Sequence, residues 1–181
     1  MTGWTLFKLT RLHICLPATL ILMIVGISQM AYSVWIPFVQ WLVPTPVVVA
    51  LAAMVIVPGP LYTNFAALER TLARTGSVRL IQIGLAWLLA ALATWPGVYV
   101  DRVGPLVCVL VALGTVSVVL LGEYAWVVAL AVGFGSVVVD GAPGRPMTTW
   151  LESVPVAVWI AGVVASGVAY FVWGPREVRR G

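Results

Sequence analysis

Apolar runs of membrane-crossing length, separated by brief polar stops, dominate this chain. The runs cover residues 13–35, 47–65, 78–100, 104–121, 124–139 and 156–173. A helix needs ~20 apolar residues to cross a hydrocarbon core of ~30 Å. The pattern therefore predicts an all-α polytopic membrane protein of six transmembrane helices, one transmembrane domain over residues 1–181. The fifth run is the shortest, about 24 Å at ~1.5 Å per residue. Residues 36–46 carry Pro37, Gln40, Trp41 and Pro44 and no charge, which reads as a loop with Trp35 and Trp41 at the membrane interface. Residues 148–153 form a second interfacial candidate, a short helix before the last span.

Composition agrees with the pattern. Apolar residues make up 62% of the chain and charged ones 9%, with a mean hydropathy of +1.08. A soluble domain needs roughly 25% charged residues to cover its surface. The formal net charge of +4 comes from scattered residues and not from a basic run that tracks phosphates, so nucleic acid is not among the expected partners. Lys8, Arg11, Arg70, Arg74, Arg79, Arg176, Arg179 and Arg180 fall on one side of a six-span topology, and only Arg102 and Arg145 on the other. Positive charge gathers on the cytoplasmic side, so both termini are expected there. The lead before the first span carries Trp4, Lys8 and Arg11, with Lys8 and Arg11 on one side of a helical wheel and Leu6 and Leu9 on the other. This predicts an amphipathic helix lying on the bilayer.

Two features interrupt the spans. Pro58-Gly59-Pro60 falls inside the second run, where each proline removes a backbone donor and kinks or breaks a helix. Freed carbonyls need partners in a membrane, so the break is expected to face protein or water. It reads equally as a hinge or as a tolerated kink. The other interruption is the charged stretch 67–79. Asn64 is placed to cap a short helix over 65–74, Gly76 to end it and Ser77 to start the third span. On that helix Leu68 and Leu72 stack four apart, as do Arg70 and Arg74, with Glu69 between them. The residues offer a docking surface; the plainer reading is a solvated loop with ordinary inward-facing arginines.

Catalytic and metal motifs are missing. The sequence has no phosphate-binding G-x-x-x-x-G-K-[ST] run and no H-E-x-x-H pair, and two cysteines with one histidine cannot build a zinc site. In this topology Cys15 falls near the inner side of the membrane and Cys108 near the outer side, too far apart for a disulfide. The six acids, Glu69, Asp101, Glu123, Asp140, Glu152 and Glu177, all map to loops, span ends or the tail. Proton-coupled carriers place an ionisable group within a span. If this chain moves a substrate, its energy is expected from a partner.

The order of these features resembles the membrane subunits of bacterial type-2 ABC exporters. The likeness covers essentially the whole chain. Leu68-Glu69-Arg70-Thr71 after the second span, Trp150 before the last and Gly174-Pro175-Arg176 after it are similar to phrases found in small members of that group. The resemblance implies a multi-pass, noncatalytic permease of the cell membrane. The 65–74 helix would be its cytoplasmic coupling helix, and Leu68, Glu69, Arg70, Leu72 and Arg74 would seat on a separate ATPase. A pair of such ATPases would hold ATP and Mg, with no cofactor on this chain. A second membrane subunit, alike or different, would share the substrate path, with Pro58-Gly59-Pro60, Gly133 and Gly135 near it. The alternative is a membrane binding or immunity-type protein that works without ATP, or a scaffold subunit of another membrane complex.

Overall fold

A computed structural model describes residues 11–29, 31–37, 41–56, 59–61, 75–95, 103–140 and 146–175. In chain order these form α1 (Leu12–Ser28), β1 (Ser33–Ile36), β2 (Trp41–Pro44), α2 (Thr45–Ile56), a 3-10 turn at Gly59–Leu61 and α3 (Thr75–Thr94). Then come α4 (Val103–Leu121), a second 3-10 turn at Gly122–Tyr124, α5 (Ala125–Asp140), α6 (Pro146–Ser153) and α7 (Val156–Trp173). Among the described residues three helices are long and apolar enough to cross a bilayer: Gly76–Thr94, Gly104–Leu121 and Val156–Trp173. Three further apolar helices are shorter. The described residues are mostly helical, and by length and composition three of their helices suit a membrane.

The all-α expectation and the first span both need correction. The run over 13–35 is helical only to Ser28, and residues 33–36 and 41–44 pair as antiparallel strands within the expected loop region. Val34 pairs with Val43, and Trp35 with Leu42. The reason is local. Val34, Trp35 and Ile36 are β-formers, and Pro37 drives the residue before it out of helical geometry. Thr45 closes the base of the hairpin, donating both its backbone N–H (3.1 Å) and its hydroxyl (2.8 Å) to the Tyr32 carbonyl. Pro46 then occupies the first turn of α2, where a missing N–H costs nothing. Gly76 and Ser77 also differ from expectation: α3 starts at Thr75, so both are helical and neither is a cap. A Cβ at position 76 would stand 3.4 Å from the Phe171 ring, so the glycine lies beside it.

The bundle is built around α4, which packs against α2, α3, α5, α6 and α7. One buried cluster joins Leu61, Ile83, Ala86, Ala90, Val111, Val118 and Tyr170 between α3, α4 and α7. A second joins Ala50, Met54, Leu106, Leu110 and Leu151 between α2, α4 and α6. Alanines at the contacts let helices approach closely, the usual device where no hydrophobic force drives helices together in lipid. Gly167 serves the same end, because a Cβ there would sit 2.7 Å from the Trp87 indole. The outward faces are apolar as well: Ile14, Ile21, Ile24 and Ile27 on α1, and Val164, Val168 and Val172 on α7, are exposed. Such surfaces suit acyl chains and not water. The helix α6 folds back onto the start of α7, where Trp150 and Trp159 meet edge to face with ring centroids 5.2 Å apart.

Candidate functional site

The helix α2 is described as far as Ile56, and the chain again in the 3-10 turn Gly59–Leu61. Pro60 supplies no N–H, so the ladder cannot run through it. Gly59 lies directly against Cys15 of α1, and any side chain at 59 would collide with the Cys15 sulfur. Pro60 and Leu61 are buried. The described part of the proline segment thus lies against protein.

The carbonyl of Leu61, just past the prolines, is held from another helix. The Tyr170 hydroxyl, on α7, lies 3.1 Å from the Leu61 carbonyl oxygen and 3.0 Å from Gln82 Oε1 on α3. Tyr170 and Gln82 are both 0% exposed. A phenol has one proton to give, so it serves these two acceptors in turn. Three segments far apart in sequence meet at one oxygen atom.

One turn earlier on α3, Arg79 reaches the end of α7. Its Nη1 donates to the carbonyls of Phe171 (2.8 Å) and Val172 (3.2 Å). The last carbonyls of a helix have no partners within it and carry the negative end of its dipole, so a guanidinium there is favourable twice over. Gly174 ends the helix with a left-handed φ of 69° and donates its N–H to the Tyr170 carbonyl at 2.7 Å. A side chain at 174 would run into the Arg79 guanidinium as well. The first turns of α3 and the last turns of α7 are therefore fastened side by side. Arg79→Ala is expected to lower the stability of the full chain in detergent by about 1–2 kcal/mol, the value of a charge-assisted cap at a part-exposed helix end. Arg79→Lys should recover only part of this, because the shorter lysine side chain does not place its ammonium where Nη1 reaches both carbonyls. Thermal unfolding followed by tryptophan fluorescence checks both, and equal midpoints for all three chains would remove the cap from the account.

Of the residues singled out from sequence, Gly59 and Pro60 lie in this site. Arg11 is exposed and has a left-handed φ of 53°, immediately before α1. Trp4, Lys8, Pro58, Leu68, Glu69, Arg70, Leu72 and Arg74 lie outside the described residues. Gly133 packs on Leu51 of α2, 3.2 Å from where a Cβ would stand, whereas Gly135 meets nothing. Cys15 and Cys108 are free thiols. Among the described residues no group of His, Cys, Asp and Glu comes together to hold a metal ion.

Gln82 and Tyr170 were not among the sequence candidates. The signal for Gln82 was present: an amide inside an apolar span is costly in lipid and calls for a partner. Nothing in the sequence marks Tyr170 as that partner. Several other hydroxyls within the helices are spent locally. Thr19 donates to the Cys15 carbonyl, Thr94 to Ala90, Thr115 to Val111 and Ser166 to Val163, at 2.7–2.8 Å. Between α2, α3 and α4 lies a cavity of about 10 Å³, lined by Ala53, Met54, Ala90, Thr94 and Leu110. That is room for about one water and no more. The chain matches no family model, no curated protein and no solved structure.

Proposed function

We propose that this chain is a noncatalytic membrane subunit of an ATP-driven exporter of the type-2 ABC kind. In this reading six spans cross a bacterial cell membrane, with both termini on the cytoplasmic side. Residues 65–74 dock on one of a pair of ATPase subunits, which bind ATP and Mg. A second membrane subunit, the same or different, completes the substrate path.

One observation carries the reading beyond the resemblance. The chain on both sides of the docking stretch is tied to the end of α7: Leu61 through the Tyr170 hydroxyl, and the first turn of α3 through Gly76 against Phe171 and Arg79 on two α7 carbonyls. A push on the intervening stretch would act on α2, α3 and α7 together, which is what a subunit driven from outside needs. The start of α3 and the end of α7 also share one level of the bundle, consistent with both being cytoplasmic.

Co-purification tests the proposal. The full chain, extracted from its native membranes in mild detergent, is expected to bring down a P-loop ATPase in equal proportion. A chain that purifies alone and keeps its cellular effect in ATPase-null cells is instead an ATP-independent binding or immunity-type protein. A chain that brings down a different membrane complex is a scaffold subunit. Either outcome overturns the exporter reading.

A further inference from the structure

We draw no further inference here: the strongest candidate, the outward face of α7 on which Ala157, Ala161, Gly162 and Ala165 lie exposed, is an apolar stripe of small residues, and nothing in the structure shows what covers it.

Discussion

Leu72→Asp, or Arg70→Glu together with Arg74→Glu, is expected to bring ATP-driven transport down to background while the chain remains in the membrane at normal abundance. On the exporter reading, Leu68 and Leu72 form the apolar part of the docking surface and Arg70 and Arg74 its basic part. An aspartate pressed into an apolar contact is left buried without a partner. Loss of a central interface residue of this kind weakens association by about 2 kcal/mol or more, roughly thirtyfold or worse. Reversing two arginines turns charge attraction into repulsion and slows encounter as well. The measurement is transport into inverted vesicles alongside ATP hydrolysis by the partner. Hydrolysis should persist without transport. Full ATP-dependent transport in both variants would falsify the docking role.

Tyr170→Ala should be the most damaging single change to the fold. The side chain is fully buried where α3, α4 and α7 meet, packed with Leu61, Ile83, Val111 and Val118. In water-soluble cores, removal of a buried aromatic ring costs about 3–5 kcal/mol. Here the separated helices stay in lipid, so the transfer part of that cost shrinks and lost packing and hydrogen bonding remain. A loss of roughly 2–4 kcal/mol is expected. Tyr170→Phe should lose much less, about 1 kcal/mol, because only the hydroxyl goes. Unfolding of the three chains in mixed SDS micelles orders them, and an alanine variant as stable as the phenylalanine one would mean that the ring carries no packing.

The apolar runs were legible because lipid imposes a simple rule: every backbone group must be bonded within its own segment, and the outside must be oily. That rule located the cores of α3, α4 and α7 to within a few residues. It misplaced the end of α1, because Val34, Trp35 and Ile36 are as oily as the helix before them, and hydropathy does not tell a strand from a helix turn. The need of the proline segment for protein around it was readable, and Pro60 and Leu61 are buried. Its partner was not readable. Gln82 and Tyr170 are 88 positions apart, and their meeting depends on how α3 and α7 pack, which no local pattern encodes. Arg79 shows the same limit from the other side. Its charge marked the side of the membrane, but its place on the α7 carbonyls follows from helix length and from Gly167 letting α7 lie close to α3.

The seat of Gly59 on Cys15 leaves a mark on heredity. A Cβ at position 59 has no room beside the sulfur, so a change there survives only if position 15 shrinks in the same lineage. Among descendants of this sequence, sites 15 and 59 should mutate as a couple, glycine facing cysteine or alanine facing glycine, and the mixed pairing of two larger residues should be missing.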